Sequence, residues 1–162
     1  MQKYFKMLTK TGTWKNHIYT KLNEMTLYEV IHSLENIAME QPNVRMVGHN
    51  HLYRDLNDNP SVKYRVFYVT QTSHKTTELW DVYGLNAFII DRLKADGSNE
   101  LEAESNAKET LDNILNVFCD RYGADIIGTR KYQPFTEKFV DETCGVYVTF
   151  EIQLPVDLIC SE

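Results

Sequence analysis

Nine residues near the C-terminus constrain the fold more than any other stretch. Val146, Val148, Phe150, Ile152 and Leu154 alternate with Tyr147, Thr149, Glu151 and Gln153. Successive side chains on a strand point to opposite faces, so this segment has one dry face and one wet face, as in an antiparallel sheet covered on one side. Something apolar must lie against the dry face, and two stretches of helical period can supply it. The first starts at Thr26 and Glu29, a T-x-x-E capping box with Met25 and Val30 placed as a hydrophobic staple. Leu27, Val30, Ile31, Leu34, Ile37 and Ala38 then recur at three- and four-residue steps until about Gln41, before Pro42. The second runs from about Ala103 to Tyr122, with Ala107, Leu111, Ile114, Leu115 and Phe118 on one stripe and Gly123 as its stop.

The rest reads as strands and turns. A short β segment is expected near Val44–Tyr53, followed by a turn-rich loop at Asp55–Ser61. KYRVFYVTQT (63–72) concentrates β-branched and aromatic residues; a polar break, SHKTTE, separates it from a long run, Trp80–Leu93, as in a hairpin. A further strand is expected over Asp125–Tyr132, then QPFTEKFVDETCG before the final strand. The expected fold is α+β: a two-layer sandwich of four or five mostly antiparallel strands with two amphipathic helices on one face. Residues 26–162 form this single domain. Residues 1–25 read as an N-terminal arm, or as an edge strand or short helix closing the core.

Length and composition fit one globular domain: 162 residues, 43% hydrophobic and 25% charged. No run approaches the length that spans a bilayer, and the N-terminus lacks the apolar core of a secretion signal, so no membrane partner is expected. Cys119, Cys144 and Cys160 are widely spaced and read as reduced or buried thiols. The net charge of −6 is uneven. Residues 1–25 hold five lysines against Glu24, a local +4, which leaves −10 elsewhere. An acidic body argues against gripping DNA, since phosphate affinity comes from lysine and arginine; it is compatible with DNA sliding past.

Chemistry-bearing motifs are sparse. His49-x-His51 would share a strand face and, with Asp55 or Asp58, could ligate a metal; the bland alternative is a pair of exposed loop histidines. The acidic run from Asp96 to Asp125, eight carboxylates against Lys108 and Arg121, lacks the order of a calcium loop and reads as a solvated helix face. No phosphate-cradling loop or nucleophile motif occurs, and no cofactor or enzymatic activity is expected. Pro134 marks an edge or turn. Phe135 and Phe139 either dock on a neighbour or fill the domain's own core.

One resemblance emerges from order and phrasing. IIDRL at Ile89–Leu93 closes an extended run, Asn99 sits in a polar link, and Glu104-Ser105 lead into Leu111, Ile114 and Leu115. Pro134-Phe135-Thr136-Glu137-Lys138-Phe139, Asp141-Glu142, Gly145 and an alternating strand ending at Pro155 follow. Across residues 26–160 this resembles small virion proteins of tailed bacteriophages, the tail-terminator and tail-completion proteins of crAss-like and related phages of Bacteroidetes hosts. Cys144 and Val146 depart from that pattern, which commonly has a small alanine-like residue and a tryptophan there. The resemblance implies a sheet backed by helices and subunits closing into a homo-oligomeric ring at the neck (head-tail connector) or tail terminus. Its partners would be further copies and adjacent portal, neck or tail proteins, with DNA in passage only, and the protein would be located in the virion after assembly in the host cytoplasm. Trp14, Tyr19, Phe135 and Phe139 are the interface candidates. Two other readings stay open: a partner-binding domain of a mobile element using a sheet edge, and a metal-assisted hydrolase around His49 and His51.

Overall fold

The computed structural model describes Leu22, residues 25–138 and residues 141–156. Trp14, Tyr19 and Phe139 therefore lie outside the described residues. The order of elements is α1 (Leu27–Glu40), β1 (Met46–His49), α2 (Leu52–Asp58), β2 (Val66–Thr76), β3 (Trp80–Arg92), α3 (Glu100–Tyr122), β4 (Ile126–Lys138) and β5 (Glu142–Pro155). The strands form one sheet in the order β1-β2-β3-β5-β4. Among the described residues, only β1 and β2 run parallel. The architecture is the expected α+β sandwich.

α1 and α3 cover one face. The capping box at Thr26 is complete, with Glu29 Oε2 accepting from the Thr26 N–H at 2.7 Å. The α1 stripe, Val30, Ile31, Leu34, Ile37 and Ala38, is buried with the α3 stripe against Phe67, Val69, Leu85, Ala87 and Ile89 and the alternate residues of β5. Each large apolar side chain so buried contributes roughly 1.5–3 kcal/mol. Leu22 is also buried in this core. At the far end of α3, Gly123 takes the left-handed conformation (φ 63°) that ends the helix. Arg121 ties the helices' C-terminal turns together by donating to both carboxylate oxygens of Glu40, at 2.8 and 2.7 Å.

Three stretches differ from the sequence expectation. Between Val44 and Ser61 the strand is only four residues long, and Leu52–Asp58, read partly as loop, is helical. Leu52 and Leu56, one helical turn apart, bury against the sheet's second face, a pairing outweighed in the sequence by turn-forming Asn57, Asp58, Asn59 and Pro60. Parallel neighbours need a long crossover, and residues 50–65 provide it. The polar SHKTTE segment is not a break: β2 continues through Thr76, paired to Asp81, because cross-strand bonding holds where neither face is buried. β4 likewise runs on through QPFTEK, with Pro134 on an edge strand opposite Val146, where its missing N–H costs no ladder bond on the open side.

The second face is covered in part. α2 and the loop after it pack Leu52, Leu56 and Val62 on Val66, Tyr68 and Ile90. Phe88, Phe135 and Tyr147 continue this cluster, with Phe88–Tyr147 centroids 5.3 Å apart and Phe88–Phe135 6.1 Å. Beyond them the face is polar, and Thr149 donates to Asn86 across the strands at 2.8 Å.

Candidate functional site: an exposed hairpin and a glutamate between two histidines

The outer part of the β2–β3 hairpin stands clear of both helices. Every residue from Gln71 to Trp80 is exposed. The segment is nonetheless ordered by its own contacts. Thr76 Oγ1 donates to Asp81 Oδ1 at 2.6 Å, His74 lies 2.9 Å from the same oxygen, and the His74 and Tyr83 rings stack at 4.5 Å. Those hydrogen bonds, from Thr76 first and His74 second, hold the Asp81 carboxyl below its usual range. Thr77 closes the turn, its backbone N–H donating to the Trp80 carbonyl at 2.8 Å. The tip carries Leu79 and Trp80, 61% and 38% exposed, so a preformed arm presents apolar side chains to water.

The histidine pair suggested by the sequence is dissolved by the backbone. Asn50 adopts φ 69°, ending β1 and turning the chain toward α2, so His51 becomes the exposed residue that starts that helix. His49 instead faces α1, where Glu35 lies almost wholly buried. Glu35 Oε1 is 2.8 Å from His49 Nδ1 and Oε2 is 2.7 Å from His32 Nδ1, so one carboxylate bridges two imidazoles. The rings meet edge to face at 5.5 Å. His32 and His49 also border a cavity of about 200 Å³ between α1, the end of β1 and β2. Among the described residues, no set of three or more His, Cys, Asp or Glu side chains is arranged to hold a metal ion. Glu35 was legible in principle, since it falls four residues after Ile31 on the apolar stripe, and an acid placed there needs a partner.

A second polar hub fixes α2. The Tyr68 hydroxyl accepts the His51 N–H at 3.0 Å and lies 2.5 Å from Asp55 Oδ2 and 2.8 Å from the His49 carbonyl. It sits beside a cavity of about 300 Å³ that Arg54, Asp55 and Asp58 also line. Burial, and then the Asp55 carboxylate, push the phenol well above its ordinary range, while the Tyr68 hydroxyl and then Arg54 hold the Asp55 carboxyl low. Tyr68→Phe is expected to cost about 1–2 kcal/mol in urea unfolding. A lowered carboxyl stabilises the fold above its unfolded value, near 3.9, and that contribution fades as pH falls through the folded value. The variant should therefore show a weaker loss of stability between about pH 4 and pH 2, and equal acid slopes in both proteins would refute the coupling.

On the helix side, Tyr132 of β4 donates to Asp112, which also receives Lys108 Nζ at 2.7 Å. Burial, followed by that carboxylate, pushes the Tyr132 phenol up to about 12. Cys144 is fully buried, and burial, then the nearby Asp91, Glu100 and Glu104, raise its thiol to about 11. It stays protonated at neutral pH and is a poor nucleophile. Iodoacetamide at pH 8 should leave Cys144 unmodified in the native protein and label it in denaturant, read by peptide mass spectrometry; rapid native labelling would contradict the burial.

Of the interface candidates, Phe135 is half-buried on the second face against Phe88 and Tyr147, contributing to the domain's smaller core. No helix among the described residues is long and apolar enough to cross a membrane. In comparisons with protein-family models and with curated proteins, nothing matches this chain.

Proposed function

We propose that this protein is a structural subunit that assembles with copies of itself into a ring, at the neck or tail terminus of a tailed phage, through which DNA passes. The observation that carries the self-assembly is the hairpin, an internally hydrogen-bonded projection with exposed Leu79 and Trp80 at its tip. Burying such a tip is worth a few kcal/mol, and among the described residues nothing covers it. A ring requires two different complementary surfaces per subunit, and the hairpin supplies one of them. The net charge of −6 supports passage of DNA without capture. The phage assignment rests on the sequence resemblance across residues 26–160.

The test is the assembly state of the full chain by sedimentation velocity and negative-stain imaging, together with its presence in purified particles. Closed rings are expected. Leu79→Asp with Trp80→Asp should weaken association at least tenfold, about 1.4 kcal/mol or more, with an unchanged circular dichroism spectrum. A wild-type protein that stays monomeric and is missing from particles would remove the proposal. A second reading, a module that takes a strand from a different protein, is favoured by the edge of β2 beyond Val69, which no described strand pairs; a defined complex with an unrelated partner and no self-association would select it.

A further inference from the structure

β1 stops early and leaves a vacant lane. It pairs with β2 only as far as His49↔Val69, and the Asn50 N–H donates to the Val69 carbonyl at 3.0 Å before the chain departs. Continuing that register would place the next residues of a strand beside Thr70 and Gln71. Among the described residues, no strand pairs with Gln71–Thr76 on this side. Such an edge is a template for an added strand.

The other edge of the sheet is defended. In β4, residues 128–130 stand against Phe150 alone, with Gly128 at φ 76°, and this bulge is followed by exposed Lys131 and by Pro134. A bulge, a lysine and a proline are the devices that stop edge-to-edge pairing. The vacant lane beside β2 has a one-residue irregularity between Gln71 and Ser73 and the exposed Lys75, but no proline and no left-handed glycine.

Next to the lane lies the cavity of about 200 Å³ lined by Leu27, Tyr28, Ile31, His49, Asn50 and Gln71. An added strand would run past its mouth, and one side chain in two would point toward it. Tyr28 at its rim is 69% exposed. Charge indicates the occupant. α1, which forms one wall, has neither lysine nor arginine; its Glu35 is taken by His32 and His49 and its Glu40 by Arg121, which leaves Glu29, at the cavity end of the helix, to meet a basic segment. Residues 1–21 carry Lys3, Lys6, Lys10, Lys15 and Lys21 with no acidic residue, and include Trp14 and Tyr19. Leu22, the residue that follows that segment, is buried in the core. Extended, it reaches about 70 Å, farther than the roughly 40 Å breadth of a domain this size.

We infer that residues 1–21 of one copy add as a strand beside Gln71–Thr76 of the next, with an aromatic side chain of the segment seated in the cavity. This rests on the ring reading and supplies an exchange contact in addition to the hairpin tip. The fit is of a basic, aromatic segment to a strand edge beside Glu29 and a cavity walled in part by Leu27, Tyr28 and Ile31, and neighbours so joined are linked head to tail.

The experiment uses the full chain. Light- and heavy-nitrogen protein are mixed under dissociating conditions, allowed to assemble, and treated with a zero-length carbodiimide reagent. Mass spectrometry then reads links from Lys10 or Lys15 to Glu29. Mixed-isotope links are expected, and they should fall at least tenfold with Tyr28→Lys; a four-lysine variant, Lys3→Glu, Lys6→Glu, Lys10→Glu, Lys15→Glu, which lacks the reacting amines, serves the salt comparison. Trp14→Ala and Tyr28→Lys, both leaving the circular dichroism unchanged, should each weaken association at least tenfold, and added salt should weaken the wild type but not the four-lysine variant. Rings with only same-isotope links, or with no such links, would overturn this inference and leave the ring reading intact. Absence of any assembly would overturn both.

Discussion

Gly145→Ala should lower the stability of the fold by about 3 kcal/mol or more, the largest loss expected from adding a single methyl group to this chain. A Cβ at this position would stand 2.0 Å from the Ile89 carbonyl oxygen and 3.1 Å from its carbon. Both are backbone atoms of the neighbouring strand, so no rotamer change relieves the clash and the strands must part. They are also the central pair of the sheet, β3 and β5, joined in unbroken register from Trp80↔Pro155 to Arg92↔Thr143. At about 2–4 °C per kcal/mol for a protein of this size, the melting temperature should drop by roughly 6–12 °C. Gly97→Ala is the control. Its φ of 69° strains any side chain but nothing lies within 4 Å, so about 1 kcal/mol is expected. Equal melting temperatures for Gly145→Ala and wild type would mean that β3 and β5 are not packed this closely.

Replacing both His32 and His49 by leucine should cost about 2–4 kcal/mol at neutral pH, although neither histidine is itself buried. The reason is Glu35, whose side chain is only 9% exposed and whose two oxygens each rest on one imidazole. Without those donors a carboxylate is left in an apolar wall with nothing to satisfy it, which costs far more than the pairs contribute. Adding Glu35→Gln to the double variant should recover most of the loss, because a neutral amide is cheaper to bury. Urea unfolding of the three proteins decides it. A double variant as stable as wild type, or a triple variant no better than the double, would show that Glu35 does not depend on the pair.

The helices and the last strand were legible because their signals are local and repeated. Thr26 and Glu29 announce a helix start through groups three residues apart, and the apolar stripes of α1 and α3 recur over several turns. The fold class followed, since an alternating strand and two one-sided helices have few ways to bury their apolar faces together. Segments whose shape depends on distant partners were misread. Ser73–Thr76 looks like a loop until β3 is placed beside it, and Leu52–Asp58 becomes a helix because Leu52 and Leu56 find Val66, Tyr68 and Ile90.

For the candidate site, the sequence selected His49 but supplied the wrong companion. Alternation along a strand assumes that the strand continues, and the left-handed turn at Asn50 cancels it one residue later. The partner, Glu35, comes from a helix fourteen residues earlier, and His32 joins only because it lies one turn from Glu35. The exposed hairpin tip was equally hidden, since whether Leu79 and Trp80 face water depends on where the helix layer ends.

By itself, then, the chain's pattern determined that one face of a sheet is covered by two helices, because hydrophobic period is written residue by residue. It also determined where charge resides, five lysines ahead of an acidic domain. Tertiary structure alone decided which edge of the sheet is left unpaired by the described strands and which is blocked, what Glu35 touches, and that the hairpin outruns the helix layer. Those properties belong to pairs of segments far apart in sequence, and burial and strand pairing assign them only after the whole sheet has formed.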